Sequence, residues 1–235
     1  MSQVINYKII LVGDPSAGKT CLFKKLGTGR FSYNNISTLG IDRRTFDIEI
    51  IDNKKEKKMI KVTLLDTAGQ ERYRSLAKSY IKSSQGIFLM YDVQDRNSFN
   101  NVEIWFDIIT ENLGNIKDSK YVVILIGNKL DLIDNYHKER EVTEEDAKML
   151  CEKLNLIWGG EITVKNMSQN ELKKFLQSYV KQIYDKVGEL KQKEVNLEKN
   201  IKSKKKKYTC WAIITSLINI EVINKLLNKF IIFSF

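Results

Sequence analysis

Residues Leu11–Thr20 read LVGDPSAGKT, and this stretch decides the fold prediction. The apolar run Val4–Val12 indicates a buried strand, and Gly18–Leu26 has the pattern of a helix. Gly13 to Thr20 matches G-x-x-x-x-G-K-[ST], the pattern of a loop whose backbone N–H groups surround phosphate. A chance glycine-rich turn would lack the flanking strand and helix, so the stretch predicts a nucleoside triphosphate site.

The loop contains Pro15, the only proline in the 235 residues, which has a fixed φ and no backbone N–H. We expect the phosphate-facing donors to come from Ser16–Thr20, so the missing donor costs nothing and the fixed φ stiffens the loop. Lys19 would neutralise phosphate charge, and the Thr20 hydroxyl can bind Mg²⁺. The nucleotide-binding residues predicted here are Gly13, Pro15, Ser16, Ala17, Gly18, Lys19, Thr20 and Cys21.

The rest of the chain alternates predicted strands and helices, which indicates a doubly wound α/β sheet with ligands at the carboxyl ends of its strands. A turn at Asp52–Lys54 indicates an antiparallel hairpin, and Ser168 with Glu171 forms an S-x-x-E capping box before the last helix. The predicted strands are Ile41–Ile51, Met59–Leu65, Gly86–Tyr91, Tyr121–Ile126 and a short one near Leu156–Val164, and the predicted helices are Ser98–Leu113, Thr143–Leu154 and one from Ser168.

Positive charge is concentrated near the end of the chain. Residues 201–235 carry seven lysines and one glutamate, which leaves about +4 of the net +10 to the rest. This balance argues against a nucleic-acid-binding body. The three cysteines are widely spaced and there is one histidine, which fits a reducing compartment and no structural zinc. We place one domain at residues 1–190 and a basic, then apolar, tail at 191–235.

Two later stretches supply groups that suit a guanine nucleotide. LLDTAGQE (Leu64–Glu71) places Asp66 at a strand end, where it can hold Mg²⁺ through water, and Gly69 where its N–H can meet a γ-phosphate. GNKLD (Gly127–Asp131) follows another strand, and the Asp131 carboxylate can accept hydrogen bonds from guanine N1–H and the 2-amino group. Adenine has no such pair of donors, so the pattern favours GTP over ATP.

In this order, each at a predicted strand end, the motifs resemble those of the small GTPases of the Ras superfamily, and within it the Rab family. The resemblance covers Val4 to about Tyr184. DTAGQERYRS (Asp66–Ser75) and YDVQDRNSFNNVEIW (Tyr91–Trp105) are the most Rab-like stretches, and ISTLGID (Ile36–Asp42) resembles the family's first switch. The resemblance implies the P-loop GTPase fold, a mostly parallel six-stranded sheet with one antiparallel hairpin and helices on both faces.

The resemblance also implies roles for individual residues. Thr20 and Thr38 would bind Mg²⁺ directly, and Asp66 would bind it through water. Thr38 would dissociate from Mg²⁺ when the γ-phosphate leaves. Gln70 would orient the attacking water. Val164 is bulkier than the alanine that the family has there, which makes base affinity less certain. The residues that would hold the base are Phe31, Asn128, Lys129, Asp131, Thr163, Val164 and Lys165.

Three positions bear on partners at the switch surface. Rab proteins usually present an exposed aromatic triad there, but Arg43 and Leu65 replace two of its members and Tyr80 alone stays aromatic. We therefore expect a switch surface that is less aromatic and more basic. The alternative is that the two substitutions merely repack the hairpin.

The function implied by the resemblance is a GTP-hydrolysing molecular switch of vesicle traffic, slow alone and accelerated by a protein that supplies an arginine. The implied partners are an exchange factor, an activating protein and effectors at the switch regions, and we expect no nucleic acid. We also expect a monomer that is cytoplasmic and peripheral on the cytosolic face of an endomembrane. A Ras-like signalling GTPase and a GTP-binding interaction module without useful turnover are the alternatives.

The tail allows three interpretations. Lys202–Lys207 reads KSKKKK, and a polybasic run attracts anionic lipid. CWAI (Cys210–Ile213) resembles the prenylation signal C-a-a-X, but 22 residues follow it and the given sequence has no terminal cysteine. The apolar pairs that follow suit an amphipathic helix lying in a membrane interface. The other two interpretations are a translation of AT-rich DNA and a segment that folds back on the domain.

Overall fold

A six-stranded sheet organises the part of the chain that the structure describes. The computed structural model describes residues 5–32, 40–67, 74–114, 121–136 and 139–187. The strands are β1 (Ile5–Val12), β2 (Ile41–Ile51), β3 (Lys57–Thr67), β4 (Gly86–Asp92), β5 (Val122–Asn128) and β6 (Ile157–Glu161). The helices are α1 (Lys19–Thr28), α2 (Arg74–Ile81), α3 (Arg96–Leu113), α4 (Asp131–Tyr136), α5 (Glu144–Leu154) and α6 (169–187).

The strand order is β2-β3-β1-β4-β5-β6, and every neighbouring pair is parallel except the β2–β3 hairpin. The register aligns the carboxyl ends of the central strands, since Leu11 of β1 lies between Asp66 of β3 and Phe88 of β4. On the other side, Asp92 of β4 pairs with Asn128 of β5. The loops after these strands therefore open at one edge of the sheet, where ligands bind in such folds.

Alternate residues of the buried strands point to opposite faces, and each face has its own apolar core. On β1, Ile9 and Leu11 pack with α1 and α6, whereas Ile10 and Val12 pack with α2, α3 and α5. Trp105 of α3 is fully buried in the second core. Helices thus cover both faces, and the predicted P-loop GTPase fold is confirmed.

Local sequence signals account for the helix ends that were predicted. Glu171 accepts the Ser168 backbone N–H at 2.6 Å and Ser168 accepts the Glu171 N–H at 3.2 Å, so the predicted capping box is present. Thr143 and Asp146 form a second box at the start of α5. The sequence analysis did not predict α2 and α4, because helices of eight and six residues give too few turns for a helical apolar pattern.

The predicted boundary near residue 190 and the tail at 191–235 lie outside the described residues and stay predictions. Among the helices that the structure describes, none has both the length and the apolar character needed to cross a membrane.

Candidate functional site

Two glycines let the loop after β1 pass close to its neighbours. Gly13 has φ of +133°, and a Cβ there would lie 2.1 Å from the backbone carbonyl oxygen of Met90. Gly18 has φ of +95°, and a Cβ there would lie 2.0 Å from the Asn128 side-chain nitrogen. Larger residues would meet a fixed backbone at the first position and a buried amide at the second. Both glycines of the sequence motif are therefore required by sterics.

Pro15 lies in a tight turn whose closing hydrogen bond does not use the N–H that proline lacks. The Asp14 carbonyl accepts the Ala17 N–H at 3.4 Å, and Ser16 between them has φ of +63°. A four-residue turn with proline second and a positive φ third is a type II turn, because proline excludes the mirror-image turns that need positive φ at both central positions. The fixed φ of Pro15 matches the second position of this turn, and the stiffening of the loop for phosphate stays a prediction.

Lys19 bridges two carbonyls of the loop. Its side-chain ammonium donates to Gly13 O at 2.9 Å and to Asp14 O at 2.7 Å, and it is 4% exposed. Burial lowers the pKa of Lys19 to about 8, while the nearby carboxylates of Asp66 and Asp14 oppose that shift. The loop therefore surrounds one buried ammonium group, and such a positive charge is what attracts a phosphate group.

Asp66 is a buried carboxylate close to the Thr20 hydroxyl and the Lys19 ammonium. It is fully buried at the end of β3, and neither of its oxygens has a hydrogen-bond partner of ordinary geometry among the described residues. Burial raises the pKa of Asp66 to about 6, and the Thr20 hydroxyl and the Lys19 ammonium oppose this shift. Buried carboxylate oxygens beside a hydroxyl fit Mg²⁺, which binds one or two carboxylates together with phosphate oxygens. Asp66 and Thr20 therefore fit a magnesium site.

The residues predicted to hold the base meet at the end of β5. Asp131 is 4% exposed and accepts a hydrogen bond from the Thr163 hydroxyl at 2.8 Å. The ammonium of Lys165 lies 3.9 Å from the other oxygen of Asp131. Lys129 has φ of +70°, and its side chain pairs with Asp92 at 2.6 Å. This cluster presents a fixed carboxylate in a largely buried setting, which is the group that guanine recognition requires.

Asn128 joins the cluster around Asp131 to the loop of residues 13–20, which we call the phosphate loop. Its side-chain N–H donates to Ala17 O at 3.0 Å, and its side-chain oxygen accepts the Val164 N–H at 3.3 Å. The Val164 side chain is 2% exposed and lies in the first core, so its extra bulk points into the protein. The doubt that the sequence raised about Val164 therefore does not apply to the surface that would face the base.

Lys25 is a site residue that the sequence analysis missed. It is buried on α1 and donates to the carbonyls of Val164 at 2.9 Å and Lys165 at 2.7 Å. Its ammonium also lies 5.9 Å from the centre of the Phe31 ring, a cation–π distance. Lys25 therefore ties the helix that carries Lys19 to the loop and the aromatic ring predicted to hold the base. No sequence motif signals contacts between residues so far apart in the chain.

Four further predicted site residues complete the comparison with the sequence. Thr38, Gly69 and Gln70 lie outside the described residues, so their roles stay predictions. Cys21 is partly buried next to Thr20, and burial raises the pKa of its thiol.

The structure changes the view of the switch surface. Arg43 is exposed on β2 and Tyr80 is 38% exposed on α2, but Leu65 is 3% exposed in the second core. The substitution at Leu65 therefore changes the packing beneath the hairpin, whereas Arg43 alters the surface itself.

One protein-family model matches the part of the chain that contains the sheet and its helices. The model of the Ras family, described as "Ras: Ras family", matches residues 8–185, from the first strand to the last helix. The chain belongs to the Ras family. The Gly13, Lys19, Asp66 and Asp131 positions of this Ras-family chain all fall within the matched region.

The curated relatives carry Rab, SEC4 and ypt names, and the predicted resemblance to the Rab family is confirmed. The chain is 40% identical over 149 residues to the Ras-related protein SEC4 of Candida albicans, an alignment that covers 63% of this chain and 65% of that protein. It is 36% identical over 152 residues to the Ras-related protein Rab11A of Lotus japonicus, with 65% and 62% covered. It is 34% identical over 154 residues to the Ras-related protein RabC of Dictyostelium discoideum, with 66% and 73% covered. The chain thus spans less than two thirds of the first two relatives.

The close approach of Gly13 gives a testable prediction. We expect Gly13→Ala to destabilise the fold by more than about 3 kcal/mol, because a strained φ and a clash with the Met90 carbonyl act together. Gly160→Ala is the control, because Gly160 has φ of +81° but nothing lies within 4 Å of the position that a methyl group would take. We expect this control to lower the free energy of unfolding by about 1–2 kcal/mol. Urea unfolding of both variants measures the difference, and equal losses would contradict the proposed clash.

Proposed function

We propose that the protein is a Rab-like, GTP-binding and GTP-hydrolysing molecular switch of vesicle traffic. The observation that carries the proposal is the Asn128 side chain, which connects the phosphate loop at Ala17 to the cluster around Asp131. A nucleotide could therefore place its phosphates on one side of this link and its base on the other. The name of one relative, the GTP-binding protein ypt2 of Schizosaccharomyces pombe, supports the GTP-binding part of this function.

At the phosphate end, the chain would bind by charge and by backbone donors. The donors of Ser16–Thr20 would surround the β-phosphate, and the Lys19 ammonium would exchange a loop carbonyl for a phosphate oxygen. Asp66 and Thr20 would hold Mg²⁺, which when bound neutralises phosphate charge. Gln70 would orient the attacking water, and Thr38 would release the first switch once the γ-phosphate has left.

At the base end, the Asp131 carboxylate would accept hydrogen bonds from guanine N1–H and the 2-amino group. The contacts from Thr163 and Lys165 fix that carboxylate, so its orientation is set before a base arrives. The backbone of Thr163–Lys165 would read guanine O6, and Phe31 would pack on the ring. Lys25 supports both elements from below.

We further propose that the tail brings the protein to the cytosolic face of an endomembrane, where exchange factors, activating proteins and effectors act on the switch regions. The lysine run at Lys202–Lys207 supports attraction to anionic lipid. The exposed Arg43 makes the switch surface more basic, so effectors of other Rab proteins need not bind it. The protein would act as a monomer.

Nucleotide retention tests the proposal. The full chain purified without added nucleotide should carry GDP or GTP, identified by chromatography of the denatured sample. Bound ATP, or a protein that binds no guanine nucleotide when it is offered, would contradict the assignment.

Hydrolysis separates the switch from a binding module without turnover. In single-turnover phosphate release we expect a slow intrinsic rate that a Rab-type activating protein increases. No release with or without that protein would remove enzymatic turnover from the proposal and leave only binding.

The base assignment predicts a change of specificity in Asp131→Asn. An amide offers one acceptor and one donor, which suits the N1–H and the 2-carbonyl of xanthine, and leaves the 2-amino group of guanine facing a donor. We expect GDP binding to weaken by roughly 100-fold and XDP binding to strengthen relative to GDP.

Competition against a fluorescent guanine nucleotide measures both affinities. Asp107→Asn, an exposed position on α3, is the matched control and should leave both unchanged. An unchanged ratio of GDP to XDP affinity in Asp131→Asn would show that this carboxylate does not read the base.

A further inference from the structure

The phosphate loop is anchored from outside by α3. The Asp14 carboxylate accepts a hydrogen bond from the Asn101 side-chain N–H at 2.5 Å and another from the Trp105 indole N–H at 2.9 Å. Asn101 and Trp105 are four residues apart, so they lie on one face of the helix. Each donor reaches a different oxygen of the same carboxylate, and Trp105 is fully buried. The side chain of Asp14 is therefore fixed in the direction of α3.

The backbone of Asp14 is fixed as well. Its carbonyl accepts the Lys19 ammonium at 2.7 Å and the Ala17 N–H at 3.4 Å, and Pro15 follows it directly. A residue before proline is restricted to extended conformations, which leaves Asp14 little freedom of its own. One residue thus connects the bend of the loop to a rigid helix.

We propose that Asn101 and Trp105 are positioning residues for the phosphate loop, acting through Asp14. They hold the loop in its phosphate-binding shape before a nucleotide arrives, which lowers the ordering cost of binding. They also keep a carboxylate turned toward α3, where it cannot repel the phosphates that the neighbouring residues would bind. This inference rests on the proposed assignment of residues 13–20 to phosphate.

The expected consequence is specific to the part of the nucleotide that the loop surrounds. GDP carries a β-phosphate that the loop would hold, and GMP does not. Loosening the loop should therefore weaken GDP binding and leave GMP binding nearly unchanged. A substitution that merely destabilises the fold has no reason to distinguish the two nucleotides.

The test compares two pairs of substitutions in the full chain. Trp105→Phe keeps an aromatic ring in the core and removes the indole N–H, and Asn101→Ser removes the second donor without touching the core. Trp158→Phe is the first control, because the Trp158 indole N–H also donates to a carboxylate, that of Glu144 at 3.4 Å. Asn100→Ser is the second control, at an exposed neighbouring asparagine.

Dissociation constants for GDP and GMP, measured by competition, should separate the pairs. We expect Trp105→Phe and Asn101→Ser each to weaken GDP binding about tenfold and to change GMP binding less than twofold, since a hydrogen bond to a charged group is lost. Both controls should leave both constants within twofold. In Asp14→Asn, adding Trp105→Phe should cause less loss than it does in the natural chain, because the partner is already altered.

Equal losses for GDP and GMP, or equal effects of Trp105→Phe and Trp158→Phe, would overturn the positioning role. If Asn101→Ser and Trp105→Phe both left GDP binding unchanged while the natural chain preferred GDP over GMP, the α3 anchor alone would be wrong. If the natural chain bound GDP no more tightly than GMP, the phosphate assignment of the loop would fail, and the anchor with it.

Discussion

The Asn128 side chain is the interaction on which the rest of the candidate site depends. It lies at the carboxyl end of β5, is 3% exposed, and has one hydrogen bond to the phosphate loop and one to the backbone at Val164. Its amide supplies one donor and one acceptor, so a single group can serve both loops. The close approach to Gly18 follows from the same contact, because a side chain there would collide with this amide. One residue therefore links the two ends of the candidate site directly.

Around this link the fold buries the charged groups of Lys19 and Asp66. Lys19 is bound to backbone carbonyls, and Asp66 has no hydrogen-bond partner of ordinary geometry among the described residues. Burial favours the neutral form of each group, so it lowers the pKa of Lys19 to about 8 and raises the pKa of Asp66 to about 6. A nucleotide with Mg²⁺ would supply the opposite charges, so its binding would also stabilise the folded chain.

Much of the fold could be predicted from the sequence because its signals are local. The motif Gly13–Thr20 requires a strand before it and a helix after it, and apolar runs as short as Tyr121–Ile126 are typical of strands buried on both faces. Short helices such as α2 and α4 lack enough turns to show a pattern. The burial of Leu65 and the inward direction of Val164 depend on tertiary packing, which spacing alone does not reveal.

The same distinction applies to the candidate site. Sequence motifs predicted Lys19, Asp66 and Asp131 as site residues, because an ammonium suits phosphate and a carboxylate suits a metal or the donors of guanine. Lys25 and Asn101, which we propose support the site, make contacts over 139 and 87 positions of the chain and belong to no local motif.

The most direct test of a site preassembled around Asn128 is the rate of GDP release from Asn128→Asp. This change keeps the shape of the side chain and replaces the donor to Ala17 O with an acceptor, so two oxygens would face each other. We predict that the folded variant releases GDP at least about tenfold faster than the natural chain. A release rate within twofold of the natural one, with the fold intact, would contradict the central place given to this interaction.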